Sequence, residues 1–447
     1  MNKLKKLWSD LQSSFWFMPS LIVMGSIVFA AALIEADSSG SNQWLSRWPR
    51  LFGAGAEGAR QMLSTLAGSM MSVMGITFSM TLLALALVSG QYTSRILRNF
   101  MSSRGTQVTL GTFAGIFVYC LIVLRTIRGG DTDFVPSLAV FVAFFMALGG
   151  VGVLIFFIHH IASSIQASSI IASIAHETIA VIDRQFPEKP DQVPDEDEGR
   201  NQVLEPQDER TWYAVSAAAS GYIQSVDNDA LFCLARDRKT IVRMERGIGA
   251  FVVQNTALAS LALTFPPDQE MIAALNGAYS ISRRRTIDQD PAFGIRQIVD
   301  IALKALSPGV NDTSTAVMCV DYLTAILTRL TVRQFPLRHR YEGEVLRLIT
   351  IAPTFEGLLA EAFDQIRCSA EGNTAIMATM IGAIDTIASL TVSPCHRRAL
   401  GEQVQWIAEL ADRTIESTHD RVRIERRLMQ VREALEAGPA FCPGKGA

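Results

Sequence analysis

Sequence motifs of the common enzyme classes are missing from this chain of 447 residues. There is no glycine-rich phosphate-binding loop with a lysine, no zinc-protease helix and no serine elbow. The sequence therefore proposes no enzymatic activity, and we predict no catalytic residue, no metal site and no cofactor. We expect no nucleic-acid partner either.

Cysteine is scarce and irregularly placed. A secreted disulfide framework is denser and more regular, and a metal site needs ligands at short, defined spacings. We therefore expect most of the cysteines to be small buried residues in a reducing compartment. They are Cys120, Cys233, Cys319, Cys368, Cys395 and Cys442.

Acidic residues are missing from four long apolar stretches that lie before residue 160. Each stretch reaches the roughly 20 residues that a helix needs to cross a hydrocarbon core. The missing acids argue against a proton-coupled pump, because pumps carry acids within their spans. We predict a four-span transmembrane domain, residues 1–160, in contact with membrane lipids. The stretches are residues 11–34, 61–94, 105–124 and 134–158.

Orientation is predicted from charges beside the spans and from their number. Lys3, Lys5 and Lys6 precede the first span, and lysine and arginine favour the cytoplasmic side. An even number of spans returns the large C-terminal part to that same side. We therefore predict a multi-pass protein whose N- and C-termini are both cytoplasmic.

One face of the second predicted span is small and polar, with members spaced alternately four and three residues apart. Such a face either packs closely against a neighbouring helix or lines an aqueous path in a homo-oligomer. The pore-lining candidates are Thr65, Ser72 and Ser79, with Arg95 and Arg98 at the cytoplasmic mouth. The face comprises Gln61, Thr65, Gly68, Ser72, Gly75 and Ser79.

Glycines in the third and fourth spans predict close helix packing. Gly111 and Gly115 form a small-xxx-small pattern, and Gly149, Gly150 and Gly152 lie in the fourth span. We predict a homo-oligomer that assembles through the second and third spans.

The rest of the chain predicts a mixed α/β cytoplasmic domain, made of a small β unit and a helical bundle. Isoleucines at helical spacing indicate a helical stalk over residues 161–186, and residues 187–210 form an acidic linker. Residues 211–265 carry the best strand signals and predict a small β-rich unit. Residues 266–447 predict a mainly helical part.

A polar stretch over residues 280–316 contains two predicted helix starts. Asp290 before Pro291 is a typical N-cap, and Asn311 or Asp312 caps the next helix. Arg283, Arg284 and Arg285 beside a helix N-terminus form a candidate site for an anionic small molecule, together with Asn311 and Asp312.

Two other interpretations of these arginines stay open. They pair with Asp288, Asp290, Asp300 and Asp312 and fasten the turn, or they contact lipid phosphates as a basic patch.

Three segments resemble a bacterial family of predicted inner-membrane proteins known as domain of unknown function 2254. They are "ITFSMTLLALALVSGQYTSRILRNF", "SGYIQSVD" and "RRRTIDQDPAFGIRQIVDIALKALSPGVNDTSTA". The likeness extends over nearly the whole chain, although the family more often has proline where Thr313 stands here. It implies a protein of the bacterial inner membrane and no established activity.

Two functions follow as hypotheses from these patterns. The first is a channel-like homo-oligomer with a cytoplasmic regulatory domain. The alternative is a membrane-anchored sensor or scaffold that binds an anionic ligand or partner through its cytoplasmic domain.

Overall fold

A computed structural model describes residues 16–38, 55–91, 104–128, 134–188 and 211–437, with side chains for all of these except residues 87–91. Arg95, Arg98 and nearly all of the predicted acidic linker lie outside these residues. The chain divides into two compact units, Met1–Ser169 and Ile170–Ala447.

The first unit consists of helices that are long and apolar enough to cross a membrane. Within the described residues there are four of them, so the predicted number of spans is confirmed. They are α1 (Phe17–Ser38), α2 (Ala56–Gln91), α3 (Arg104–Thr126) and α4 (Ser137–Ser164).

Helix α3 is the central helix of this unit, because it contacts each of the other three and is the most buried. Glycines allow α1 to pack closely against it. A Cβ atom at Gly111 would meet Pro19 and Ile22, and one at Gly115 would meet Ser26. The predicted small-residue pattern of the third span therefore serves packing within the chain.

Polar groups join the helix ends at one end of this unit. The Asp37 carboxylate accepts hydrogen bonds from the backbone amides of Leu138 (3.4 Å) and Ala139 (3.1 Å), so it caps α4. Arg60 of α2 donates to the carbonyl of Ile127, just past α3 (3.1 Å). The ends of α1 and α3 thus lie beside the starts of α4 and α2, which makes the helices antiparallel neighbours.

The second unit contains two small sheets. One has the strand order β1-β5-β3-β8-β7, and the other has the order β4-β2-β6. Strands β6, β7 and β8 lie beyond residue 265, so the sheets extend past the segment that the sequence marks as β-rich. The strands are β1 (Thr211–Ser216), β2 (Gly221–Val226), β3 (Val242–Met244), β4 (Phe251–Val252), β5 (Ala257–Leu263), β6 (Tyr279–Ser282), β7 (His339–Glu342) and β8 (Val345–Ile349).

The helices of the second unit carry most of its length. A nearly uncharged apolar segment forms α11, with its isoleucines and methionines in the core. The helices are α5 (Ala167–Gln185), α6 (Asn228–Asp237), α7 (Gln269–Gly277), α8 (Pro291–Leu306), α9 (Thr313–Thr331), α10 (Phe355–Ser369), α11 (Thr374–Leu390), α12 (Pro394–Thr414) and α13 (Thr418–Ala437).

The predicted stalk is helical but is not one continuous helix. Helix α4 ends at Ser164, and α5 begins at Ala167, after two intervening residues. Beyond residue 169, α5 buries one face in the second unit, including Ile171, Ile174 and Ile182. Its C-terminal end is held by Asp183, which pairs with Arg329 and Arg333 (2.7 Å each).

Candidate functional site

Helix α2 presents two opposite faces. One face packs inside the first unit, and its members recur mainly at spacings of four and three residues. A residue two positions further along an α-helix points about 200° away. The face that carries the predicted pore residues is therefore opposite the packed one. The packed face comprises Ala59, Leu63, Ala67, Met70, Thr77, Thr81 and Ala84.

The small polar face of α2 is exposed along its whole length. No described residue covers it, and Cβ atoms built at Gly68 and Gly75 would meet nothing within 4 Å. We call this surface the polar face; it comprises Gln61, Thr65, Gly68, Ser72, Gly75 and Ser79. With 100° per residue, its members fall within an arc of roughly 80°.

Hydroxyl groups on this helix donate to their own backbone. Thr65 donates to the carbonyl of Gln61 (2.8 Å), and Ser72 donates to the carbonyl of Gly68 (3.0 Å). Because each hydroxyl has only one hydrogen, what it still offers to a neighbour is the lone pairs of its oxygen. At Thr65 and Ser72 the polar face therefore presents acceptors, which suit a water hydrogen or a cation.

Two features at the ends of the polar face were not predicted from the sequence. Glu57 lies four residues before Gln61, on the same face, and its side chain is 88% exposed. Among the described residues it pairs with Arg60, at 4.0 Å. At the other end, Leu82 and Leu83 continue the face beyond Ser79 as exposed apolar side chains. Extending the four-and-three spacing in both directions would have identified these positions. The predicted mouth residues Arg95 and Arg98 lie outside the described residues.

The predicted anion site at the start of α8 is occupied by a carboxylate of the protein, that of Asp290. Asp290 caps α8 by accepting from the backbone amide of Phe293 (3.1 Å), as predicted. The same carboxylate pairs with Arg285 through both of its oxygens. The Asp290 side chain is only 5% exposed. A buried carboxylate thus takes the place where backbone amides and a guanidinium would meet a ligand.

A glycine makes room for this pair. A Cβ atom at Gly249 would collide with both Asp290 and Arg285. The φ angle of Gly249 is +81°, which is unfavourable for other residues. A larger residue at position 249 would therefore disturb the Arg285–Asp290 pair.

The remaining predicted ligand residues lie apart. Asp312 caps α9 and accepts from the backbone amide (3.0 Å) and hydroxyl (2.5 Å) of Thr315. These hydrogen bonds lower the pKa of the Asp312 carboxyl. Asn311 has a φ of +49°. Both residues follow α8, whereas Arg283, Arg284 and Arg285 precede it, and α8 is about 24 Å long at 1.5 Å per residue. The structure does not bring the two groups together.

Arg283 and Arg284 are exposed at the end of β6. Neither forms an ion pair with any residue that the structure describes. Asp300, another predicted partner of the arginines, pairs instead with Arg296 (3.1 Å). Of the predicted pairings, Arg285 with Asp290 is present.

Metal-binding geometry is missing from the described part of the chain, where no group of three or more His, Cys, Asp or Glu side chains converges. The adjacent His159 and His160 lie near the end of α4. His160 stacks on Phe156, with ring centroids 5.7 Å apart, and lies against Gly105 of α3. It therefore has a packing role at this helix crossing.

Comparison with known proteins identifies the family of this chain but assigns it no activity. A 29% identical, uncharacterized protein of Mycobacterium bovis aligns over 468 positions that cover 99% of this chain and 85% of the relative. An uncharacterized protein of Mycobacterium tuberculosis matches with the same identity and coverage. No solved structure matches the chain.

The family described as "Predicted membrane protein (DUF2254)" matches residues 12–386, which is most of the chain and includes all four apolar helices. The resemblance seen in the sequence is thereby confirmed, and this chain belongs to the DUF2254 family of predicted membrane proteins.

Proposed function

We propose that this protein forms a channel-like homo-oligomer in the bacterial inner membrane, with the polar face of α2 lining an aqueous path. In this proposal both termini lie on the cytoplasmic side. The second unit is the regulatory part, and the homo-oligomer is held together by α2.

The exposed polar face is the observation that carries the proposal. A surface of glycines and hydroxyls gains little packing energy from contact with lipid tails, because the tails pack better against large apolar side chains. The packed face of α2 already accounts for its contacts within the chain. Another copy of the chain, or water held between copies, is therefore the more favourable neighbour for the polar face.

More than one copy is required, because a single helix face cannot enclose a path. Closed cyclic symmetry repeats the same face around one axis, which turns a stripe into a continuous lining. Hydroxyl oxygens and the backbone exposed at Gly68 and Gly75 would then coordinate water or a permeating ion.

The ends of the polar face suit the two ends of a path. A ring of Glu57 side chains would concentrate cations at one mouth, as acidic rings do in cation channels. Leu82 and Leu83 would form an apolar constriction near the other end, where loss of water closes a pore. Opening would require these leucines to move apart.

The connection between the units supports a regulatory role for the second one. Helix α5 contributes buried side chains to the second unit, and only residues 165 and 166 separate it from α4. A change in the second unit would therefore act on the fourth span through a short covalent link.

Ion flux through the purified protein in liposomes tests the proposal. We expect the wild-type protein to release a trapped cation, and Ser72→Leu to reduce that flux at least tenfold by filling the path. Ser69→Leu is the matched control. Ser69 is also exposed and donates to an i−4 carbonyl, that of Thr65 (2.8 Å), but it points about 60° away from Ser72.

Equal loss in both variants would indicate damage to the helix and would count against a lining role for Ser72. Absence of flux both in the wild-type protein, under voltages of both signs, and in a Leu82→Ala variant that widens the proposed apolar constriction would overturn the channel proposal.

A further inference from the structure

We propose that an exposed end of the three-stranded sheet binds the anionic headgroups of a lipid membrane. We call this surface the sheet tip; it comprises Ala218, Ala219, Tyr222, Phe251 and Val253. Arg283 and Arg284 lie at the end of β6 and supply the charge. This inference does not depend on the channel proposal.

Two adjacent turns build the sheet tip. The turn before β2 and the turn after β4 are joined by backbone hydrogen bonds between Ala217 and Asn255 (3.0 Å) and between Ala217 and Thr256 (2.9 Å). The Ser220 hydroxyl accepts from the amide of Gln254 (2.8 Å). These hydrogen bonds join the two turns through backbone groups and the Ser220 hydroxyl, so the side chains of the tip are not needed for this contact.

The side chains of the tip other than the half-buried Tyr222 are apolar and exposed. Phe251 is 54% exposed and Val253 is 52% exposed. The ring of Tyr222 lies 5.0 Å from that of Phe251, in an edge-to-face arrangement. Tyr222 and Phe251 are directly opposite in the β2–β4 pairing, so both point to the same face of the sheet.

The arginines lie where β6 leaves the sheet. Tyr222 is also paired with Ser282, the last residue of β6, and Arg283 and Arg284 follow at once. Both are exposed, and within the described residues neither has an ion-pair partner. The apolar side chains and the two positive charges thus belong to neighbouring positions of one small sheet.

The charge of this surface is unlike that of the rest of the chain. Overall, 43 acidic residues exceed 40 lysines and arginines. The strand and turn segments 216–226 and 247–267 contain no charged residue, and segment 279–287 contains no acid and three arginines, of which Arg285 is paired with Asp290. The acids that flank these segments are Asp227, Asp268 and Asp288, together with Glu245, which is engaged with Arg243 and Ser260.

An anionic membrane surface fits this combination better than a soluble anion. Headgroup phosphates attract arginine, while aromatic and aliphatic side chains insert at the boundary between headgroups and tails. A phosphate in water would use the arginines and leave Phe251 and Val253 exposed. The unit is also covalently attached to four apolar helices, which raises its effective concentration near a membrane that they cross.

A spin label at Val253→Cys in the full-length protein tests the proposal. The measurement is the rate at which the label collides with two relaxing agents. One is oxygen, which partitions into lipid, and the other is a nickel complex, which stays in water. The native cysteines Cys233, Cys368, Cys395 and Cys442 are first replaced by serine. Val345→Cys is the matched control, because Val345 is 49% exposed and lies in the other sheet.

In nanodiscs that contain phosphatidylglycerol, we expect the ratio of oxygen to nickel collisions to rise severalfold at residue 253 and to stay low at residue 345. In phosphatidylcholine nanodiscs, or with Arg283→Gln and Arg284→Gln together, the ratio at residue 253 should fall to that of the control.

Three results would overturn the proposal. A water-exposed label in both kinds of nanodisc would show that the tip does not meet lipid. A ratio that is independent of lipid charge and of the arginines would exclude recognition of anionic headgroups. Protection from nickel that persists in detergent without lipid would show that protein, such as a second copy of the chain, covers the tip.

Discussion

The guanidinium of Arg285 pairs with the carboxylate of Asp290 at the first turn of α8. The Asp290 side chain is buried, and the Arg285 guanidinium also lies over the ring of Phe293, with 5.3 Å to its centroid. One carboxylate thus neutralises the arginine and caps the helix at the same time.

Replacing Asp290 should separate these two contributions. Asp290→Asn keeps an N-cap acceptor but leaves Arg285 without its charge partner, and we expect a loss of about 3 kcal/mol of unfolding free energy. Asp290→Ala also removes the cap and should cost about 1 kcal/mol more. Denaturant unfolding, monitored by hydrogen exchange of the amides of α8, measures both. Equal stability of Asp290→Asn and wild type would contradict this account of the pair.

The contact of α5 with α8 depends on a glycine. A Cβ atom at Gly294 would collide with the hydroxyl of Thr178, which is buried and donates to the carbonyl of Ile174 (2.7 Å). In an open helix, glycine to alanine gains up to about 1 kcal/mol. Here we expect Gly294→Ala to cost about 1–3 kcal/mol through overpacking.

The double variant Gly294→Ala with Thr178→Ala provides the check. Removing the threonine side chain makes room for the new methyl group, so the double variant should be more stable than the sum of the single changes predicts. Strict additivity in a double-mutant cycle would mean that the two residues do not constrain each other.

Low pH should weaken the ion pairs that Asp183, near the C-terminal end of α5, forms with Arg329 and Arg333. Hydrogen bonding to Arg329 is the main cause that lowers the pKa of Asp183 below its ordinary value of 3.8, and Arg333 adds to it. A carboxyl whose pKa is lower when folded contributes stability above its unfolded pKa and loses it as the pH falls through the folded pKa. Asp183→Asn should therefore be less stable than wild type at pH 7.

The difference between the two proteins should shrink as the pH falls below 3.8 and vanish once Asp183 is protonated in the folded wild type. Urea unfolding of both proteins across this range gives the measurement. A difference that stays constant down to the lowest pH would show that the amide substitution acts by some means other than charge.

Two glycines of the first unit should differ in their tolerance of substitution by leucine. Gly115 of α3 lies against Ser26 of α1, whereas nothing described lies within 4 Å of a Cβ atom built at Gly149 of α4. We expect Gly115→Leu to lower the yield of monodisperse protein in detergent and its apparent melting temperature. Gly149→Leu should leave both unchanged if its surroundings are lipid, and similar losses in the two variants would refute the packing described for α3.

Local patterns predicted much of this fold. The spans are apolar over enough residues to be recognised without their neighbours, and the caps at Asp290 and Asp312 depend on residues within one helical turn. The burial of α11 also follows from its own composition.

Pairings between distant segments could not be predicted in this way. Strand β8 joins β3 in parallel, with Val242 opposite Leu348, and nothing in either short segment specifies the other. The pairing of Arg285 with Asp290 was one of the interpretations that the sequence left open, but the fit of the turn at Gly249 against both residues was not. The periodicity of α2 predicted a polar face but not which side of the helix the other spans would cover.

Water access to the polar face of α2 tests the central claim most directly. Single cysteines at Thr65, Ser72 and Ser79 would be treated, in native membranes, with a charged thiol reagent that does not cross lipid. Met80→Cys is the control, because Met80 is exposed but lies about 100° round the helix from Ser79. The proposed path predicts modification at the three polar-face positions and none at residue 80. Protection of all three positions would contradict it.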